Sequence, residues 1–426
     1  MTQVLVLHPD TGQPGRRDPG ASLAEAKSLT AAIELDSRGG TVVPVSRLHP
    51  ATYFGPGKVA EIGARVADDG IGVAVVNATL SPVQQRNLER AWQTKVLDRT
   101  GLILEIFGAR AQTREGVLQV ELAHLTYQKS RLVRSWTHLE RQRGGSGFLG
   151  GPGETQIEAD RRQLDERIGR LRRKLDKVVR TRSLHRSKRQ KAPYPVVALV
   201  GYTNAGKSTL FNALTTGGVL AEDMLFATLD PTMRRLQLPS GRVVILSDTV
   251  GFISELPTAL IAAFRATLEE VLEADLILHI RDVTHPETDA QAADVAQVLE
   301  ELGIDAERQD QIVEVRNKID GLDPDRRAAE EELAARCKTT VPVSAISGDG
   351  LDRLLQLIEG ALYREPAIFE AKLDYVEGAA LAWLYDHGEV LSRDDKEDGV
   401  TLAVALMDKE VAQFRKLHPM QILRRR

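Results

Sequence analysis

Along the first hundred residues, apolar positions come in short runs separated by longer amphipathic stretches. Residues 4–7 (VLVL), 41–45 (TVVPV) and 73–76 (VAVV) read as strands, with helical stretches over 23–35 and near 58–66 between them. Ser81 followed by Pro82 supplies an N-cap and a first helical residue for a helix carrying Trp92. Strands alternating with helices predict a small α/β domain with a largely parallel sheet over residues 1–110.

The period then changes. Leu118, Leu122, Leu125, Leu132, Trp136 and Leu139 keep heptad spacing, with Lys129 filling the remaining place, and Leu164, Ile168, Leu171, Leu175 and Val178 repeat it. Two narrow apolar seams joined by a glycine-rich turn predict a long antiparallel helical hairpin over 111–190. Its expected tip, Gly144 to Gly153, includes Phe148 and Leu149, which suit stacking on unpaired bases or entry into a crevice. The sequence SKRQKAPYP (187–195) reads as the linker that follows.

Buried-strand runs return at 195–200 (PVVALV), 243–247 (VVILS), 276–280 (LILHI), 311–316 (QIVEVR) and 341–343 (VPV). The segment 234–238 (RRLQL) faces 243–246 across Ser240 and Gly241 as an antiparallel hairpin, so the sheet of this domain, 191–365, is expected to be mixed. Residues 366–426 predict a small α+β module: a helix over 378–388, in which Trp383 and Tyr385 should pack on the sheet, and a strand at 400–406. The closing Arg424 to Arg426 fit either an RNA contact or a frayed tail.

Composition narrows the class. With 42% hydrophobic residues and a single cysteine, Cys337, the chain is globular and has no internal disulfide or multi-cysteine metal cluster. No apolar run approaches the ~20 residues needed to span a bilayer, and the start, MTQVLVLHPD, has no basic segment before its apolar stretch; a cytosolic monomer is expected. The net charge of −4 hides an asymmetry: residues 1–192 carry 32 Lys/Arg against 20 Asp/Glu, and residues 161–191 carry 14 against 3. A basic end of this kind fits a polyanion, with RNA favoured over a merely solvated helix face.

Four short segments, each just after a strand run, carry the chemistry. Gly201, Tyr202, Thr203, Asn204, Ala205, Gly206, Lys207 and Ser208 spell G-x-x-x-x-G-K-S between a strand and a helix, a turn whose amides wrap phosphate oxygens. Lys207 is expected on the β- and γ-phosphates and Ser208 on Mg²⁺. Asp248, Thr249, Val250 and Gly251 form DTVG; the aspartate would hold the same Mg²⁺ through water, and the Gly251 amide can meet the γ-phosphate closely. Asn317, Lys318, Ile319 and Asp320 form NKID, whose last carboxylate can accept from guanine N1–H and the 2-amino group, donors adenine lacks in that arrangement. Ser344, Ala345 and Ile346 would add a backbone donor to guanine O6. Together the segments predict GTP and GDP as ligands.

With these motifs the chain resembles the HflX family of translation-factor-related GTPases, in the Obg-like group of ribosome-associated proteins. Beside them stand FATLDPT (226–232), similar to the family's first switch segment, and RGGSGFLGGPGETQIEADRR (143–162), similar to its glycine-rich element. The likeness runs from about residue 20 to the end. It implies that Phe226, Ala227, Thr228, Leu229 and Asp230 border the nucleotide and that Thr228 completes the Mg²⁺ shell, although spacing leaves Thr232 open as an alternative. It also implies hydrolysis of GTP to GDP and phosphate, binding to the large ribosomal subunit and its rRNA through the hairpin near the peptidyl-transferase centre, and separation or rescue of stalled ribosomes under stress.

One position departs from the commonest GTPase pattern. Phe252 follows DTVG where many such enzymes carry a glutamine that orients the attacking water, so Lys207, Thr228 and Gly251 are left as the expected catalytic set and unaided hydrolysis should be slow. Asn204 resembles the asparagine with which some glutamine-lacking GTPases hold K⁺ beside the phosphates; its rival role is to stabilise the turn. Two other classes compete: a non-catalytic RNA tether that uses nucleotide only for structure, and an ATPase or kinase on the same phosphate loop.

Overall fold

The computed structural model describes residues 2–12, 17–142, 152–189, 194–215, 232–254, 270–304, 311–363, 367–396, 399–406, 408–418 and 422–425. The expected hairpin tip with Phe148 and Leu149, the switch segment 226–231 and the core of the linker, 190–193, lie outside these residues. The chain divides into two compact units, Met1–Leu355 and Gln356–Arg426.

The first unit opens with strands β1 (Gln3–Asp10), β2 (Asp36–Pro44), β3 (Val73–Val76) and β4 (Lys95–Asp98), all parallel in the order β2-β1-β3-β4. Helices α1 (Pro19–Ala31), α2 (Pro56–Asp68), α3 (Pro82–Trp92) and α4 (Arg99–Arg110) connect and cover them. Ser81 caps α3 in a reciprocal capping box with Gln84. Helix α1 stops short of the expected Leu35, because the chain reverses through Glu34 at a φ of 58° before entering β2. Strand β4 and helix α4 carry no signal of their own in the sequence pattern. The strand is four residues long, and α4 is buried from Arg99 through Leu104, so it has no polar face to create a period.

Helices α5 (Arg114–Gln142) and α6 (Pro152–Arg189) form the predicted hairpin. Leu118, Leu125, Ile168 and Leu171 make its buried seam, flanked by Leu122, Leu164, Leu175 and Val178. Lys129, the odd residue of the heptad series, pairs across the seam with Asp165, and Arg167 meets Glu121 at 2.8 Å. At 1.5 Å per residue the 29 residues of α5 reach about 43 Å. Two boundaries differ from expectation. Pro152 and Gly153 belong to α6 rather than to the tip, since proline fits the first helical turn, and Ser187 to Arg189 extend α6 instead of opening the linker.

The nucleotide-motif region of this unit holds a six-stranded sheet of β5 (Val196–Gly201), β6 (Thr232–Gln237), β7 (Val243–Asp248), β8 (Leu276–Asp282), β9 (Ile312–Asn317) and β10 (Thr340–Pro342), in the order β10-β9-β8-β5-β7-β6. Only β6 runs antiparallel, so the sheet is mixed as expected. Apolar packing is continuous from the first domain into this one: Val4, Leu29, Ile103 and Phe107 share a buried cluster with Ala198, Tyr202, Phe252 and Val295.

The second unit is an antiparallel sheet, β12-β13-β11-β14, made of β11 (Ala367–Leu373), β12 (Glu389–Lys396), β13 (Gly399–Leu406) and β14 (Leu423–Arg425). The helices Gly378–His387 and Asp408–Leu417 bury Leu384 and Phe414 against it. Trp383 packs at the edge of this core and stacks on His387, with ring centroids 4.2 Å apart. Tyr385, expected on the sheet, is 46% exposed, because it sits one step around the helix from buried Leu384. Arg424 and Arg425 are strand residues opposite Glu370 and Phe369, which answers the question of a frayed tail for those two positions.

Candidate nucleotide-binding site

The four motifs meet at the C-terminal edge of the six-stranded sheet, where open α/β sheets receive ligands. Strand β5 ends at Gly201, the chain turns through Tyr202 to Gly206, and helix α7 (Lys207–Leu214) begins. Asn204 lies exposed in the turn with a φ of 61°, a left-handed value that asparagine tolerates better than most residues. Gly206 adopts a φ of 90°, and a Cβ there would stand 2.3 Å from Asn317 Nδ2. Glycine is therefore required twice over at this position, once by dihedral and once by the close approach of NKID.

Lys207 is buried, and its Nζ donates to the carbonyls of Gly201 (3.1 Å) and Tyr202 (2.9 Å). Burial lowers its pKa from the ordinary lysine value to about 8, opposed by the nearby Asp248 carboxylate. The two carbonyls offset the cost of burying this charge. Ser208 Oγ donates to Asp248 Oδ2 at 2.7 Å, so these two oxygen-bearing side chains converge beside the loop. Hard oxygen donors of this kind fit Mg²⁺, which keeps several waters and takes only one or two side-chain ligands.

Gly251 shows the same economy of space. A Cβ at this position would lie 2.8 Å from Thr203 Cγ2, 3.0 Å from Thr203 Cα and 3.1 Å from Lys207 Nζ, so only glycine keeps the gap beside the ammonium open. Phe252 follows it, and its backbone is stitched to the phosphate loop: its N–H donates to Gly201 O at 3.1 Å and its carbonyl accepts from Thr203 N at 2.7 Å. The Phe252 ring is 2% exposed and belongs to the continuous core. Thr249 hydroxyl donates to Leu199 O at 2.6 Å, and Val250 is buried, so DTVG is anchored along its length.

The base-recognition segments are built as one piece. Asn317 Nδ2 donates to Ala205 O at 2.9 Å while its Oδ1 accepts from Ala345 N at 3.1 Å, so one carboxamide joins the phosphate loop to the Ser344 segment. Asp320 Oδ1 accepts from Ser344 Oγ at 2.6 Å, and Ile319 N donates to Val343 O. Lys318, at a φ of 70°, reaches Asp282 Oδ2 at 2.8 Å. Burial opposes charge on Asp282, but Lys318 and Thr284 hold its carboxyl below the usual carboxylate range. Ile346 is 79% exposed and takes no part in the packing. Phe226, Ala227, Thr228, Leu229 and Asp230 lie outside the described residues. Thr232, the alternative switch threonine, opens β6 and pairs with Asp248 in the sheet.

Several contacts at this site carry no sequence signal. Tyr202 sends its side chain toward the first domain, where its hydroxyl donates to Glu25 of α1 while accepting from Ser254 N at 2.8 Å. Arg99, the first residue of α4, donates to Glu25 Oε1 at 2.6 Å and to Ser254 O and Oγ, both at 2.8 Å. Helical periodicity places Glu25 on a helix, but nothing in the sequence pairs it with partners hundreds of residues away.

The G-x-x-x-x-G-K-S turn between β5 and α7, with the Ser208–Asp248 pair and the NKID segment beside it, has the build of a P-loop guanine-nucleotide-binding protein. Matching family models follow one another along the chain: a GTP-binding GTPase N-terminal region at residues 20–108, a GTP-binding GTPase middle region at 110–189, a 50S ribosome-binding GTPase at 196–318 and an HflX C-terminal domain at 329–421. The chain is 53% identical over 89% of its length to a GTPase HflX of Magnetococcus marinus, covering 86% of that protein. It is 46% identical over 84% of its length to the GTPase HflX of Escherichia coli, covering 83% of it, and 43% identical over 93% to that of Lacrimispora saccharolytica, covering 92%. The chain belongs to the HflX family of P-loop GTPases.

Two outcomes follow from this geometry. Replacing Gly251 by alanine puts a methyl group into the gap beside Lys207, so affinity for a non-hydrolysable GTP analogue should fall by about tenfold or more while GDP binding changes little; calorimetry with both nucleotides reads the split, and an equal loss for both would contradict the assignment of that gap. The second concerns Lys207, whose ammonium is the form that holds phosphate and is lost from the free protein as pH rises through about 8. Nucleotide affinity should be flat below about pH 7 and weaken toward about tenfold per unit above about 8, with proton uptake on binding. Titrations in two buffers of different ionisation heat at about pH 8.5 measure that uptake, and its absence would show that the lysine stays charged.

Proposed function

We propose that the protein hydrolyses GTP to GDP and phosphate with Mg²⁺ and uses the cycle to change its hold on the large ribosomal subunit. The observation that carries this reading is the convergence of Lys207, the Ser208–Asp248 pair, Gly251 and the Asp320–Ser344 pair at one sheet edge, in a chain whose hairpin is strongly basic. On binding, the Lys207 ammonium exchanges its two carbonyls for β- and γ-phosphate oxygens. Ser208 would ligate Mg²⁺, with Asp248 behind it and Thr228 completing the shell; the ion offsets charge on the phosphates. The Gly251 amide would donate to the γ-phosphate, glycine leaving the space beside Lys207 clear of a side chain. Asp320 would accept from guanine N1–H and the 2-amino group, and the Ser344 hydroxyl bond holds it in place for that task.

Phe252 gives the attacking water nothing to bind, and its ring is committed to the core, so water placement falls to backbone, an ion or a partner. Asn204 is exposed beside the loop and free of the core, which supports the K⁺ role alongside its role in the turn. Turnover in KCl should exceed turnover in NaCl, and Asn204→Ala should erase the difference; equal rates in the two salts for the parent protein would remove K⁺ from the mechanism.

The basic balance of residues 1–192 and the family membership support rRNA of the large subunit as the partner, with separation or rescue of stalled ribosomes as the role and the cytosol as its place. Among the described residues, no helix is long and apolar enough to cross a membrane. Co-sedimentation with separated ribosomal subunits, in GTP analogue, GDP and no nucleotide, tests the switch. Binding to the large subunit that depends on nucleotide, weakens steeply with salt and loses its nucleotide response in Lys207→Ala is the expected outcome; identical affinity in all three states would favour a tether.

A further inference from the structure

Asp98 and Arg99 are neighbours in sequence, at the junction of β4 and α4, and each grips a different part of the molecule. Asp98 is fully buried. Its Oδ1 accepts from Gly101 N at 2.8 Å and from the Tyr127 hydroxyl, and its Oδ2 accepts from Leu80 N at 3.2 Å and from Arg131. Tyr127 and Arg131 are consecutive-turn residues of α5, and the Arg131 guanidinium also lies 4.2 Å over the Tyr127 ring. Asp98 is thus the clasp that holds the root of the hairpin to the first sheet.

Arg99 points the other way. It is 3% exposed, and besides Asn77 Oδ1 at 2.6 Å it holds Glu25 and both oxygens of Ser254. Ser254 is three residues beyond Gly251, on the segment that must respond to a terminal phosphate. Its N–H donates to the Tyr202 hydroxyl and its Oγ donates to Glu25 Oε1 at 3.1 Å. The Tyr202 carbonyl, on the same residue, is one of the two that hold Lys207. Arg17 closes the cluster, donating to the Tyr202 hydroxyl at 2.9 Å and pairing with Asp294.

Burial alone would discharge the Glu25 carboxyl, but Arg99, the Tyr202 hydroxyl and Arg17 keep it below the usual carboxylate range. The cluster is therefore charged and hydrogen-bonded inside the protein, where losing one partner leaves the others unpaired. Such a cluster has well-separated made and broken arrangements, unlike an apolar contact that slides.

We infer that Asp98 and Arg99 form a relay between the nucleotide and the hairpin: a terminal phosphate that draws Gly251 moves Ser254, Arg99 follows, and the shift at the β4–α4 junction reaches α5 through Asp98, Tyr127 and Arg131. Arg99 and Glu25 are positioning residues in this scheme, since neither touches the nucleotide. The relay deepens the switch reading above and rests on guanine nucleotide binding at the loop, which calorimetry on the same samples checks separately.

The test is hydrogen exchange on the full chain with Mg²⁺ and saturating GDP or a non-hydrolysable GTP analogue. In the parent protein, amides of α5 around Tyr127 and Arg131 should exchange at rates differing by about fivefold or more between the two nucleotides. Arg99→Lys and Glu25→Gln should each flatten that difference while still binding both nucleotides. Reciprocity gives a second reading that does not need the buried arginine changed: Arg131→Gln, on the hairpin, should shift the ratio of analogue to GDP affinity by about fivefold or more. Identical α5 exchange in the two nucleotide states of the parent, a difference that survives both variants, or an unmoved affinity ratio in Arg131→Gln would each overturn the relay. If no nucleotide binds at all, the fault lies with the site and not with the relay.

Discussion

A positive charge inside the protein sets the terms for everything around it. Lys207 is buried with its ammonium on the carbonyls of Gly201 and Tyr202, and an ion in that position is tolerated only where oxygens surround it. The loop must curl so that the carbonyls of Gly201 and Tyr202 point at the lysine. Gly206 permits the curl, and Asn317 fixes it by donating to Ala205 O while accepting from Ala345 N. The loop and the NKID segment are therefore one construction: the residue that begins NKID is spent on shaping the loop, and the last one, Asp320, is braced by Ser344.

The same constraint explains why the segment after DTVG is tied so closely to the loop. Phe252 pairs with Gly201 and Thr203 through its backbone and sinks its ring into the core that the two domains of the first unit share. A glutamine there would bring an amide into an apolar cluster and leave it short of partners. Phe252 stands where many GTPases carry a glutamine and serves here as a core residue that spans the two domains. The position forms a mechanical link between the loop and its neighbours.

How much of this was legible in the sequence follows from where each signal resides. The phosphate loop, DTVG, NKID and the Ser344 segment are local: their function needs particular residues within a few positions of each other, so the linear pattern exposes them. The hairpin is legible because a seam of period 3.5 is visible over many turns, and even its exception, Lys129, proves to be an ion pair with Asp165. Helix α4 is not, because a helix buried on nearly all sides has no polar phase to betray it, and nothing in the spacing marks Arg99 at its start, which is 3% exposed. Tyr202 is seen as a loop residue, but its hydroxyl works in the other direction. Residues whose meaning comes from a partner far along the chain, as Glu25 does from Ser254, leave no mark in spacing.

The interface between the first domain and the nucleotide site joins an apolar floor to a polar rim, and each does something the other cannot. The apolar cluster from Ile103 and Phe107 to Phe252 holds the two domains together through area, which changes gradually with small displacements. The rim of Arg17, Glu25, Arg99, Tyr202 and Ser254 depends on direction and distance, and a displacement of the Ser254 backbone by even an ångström takes it from bonded to unbonded. A floor alone would give cohesion without a signal, and a rim alone would give a signal without cohesion. Since Ser254 is fixed to Gly251 by three residues of chain, and Asp98 is covalently next to Arg99, the polar rim is the part of this interface that is sensitive to the position of the Gly251 segment.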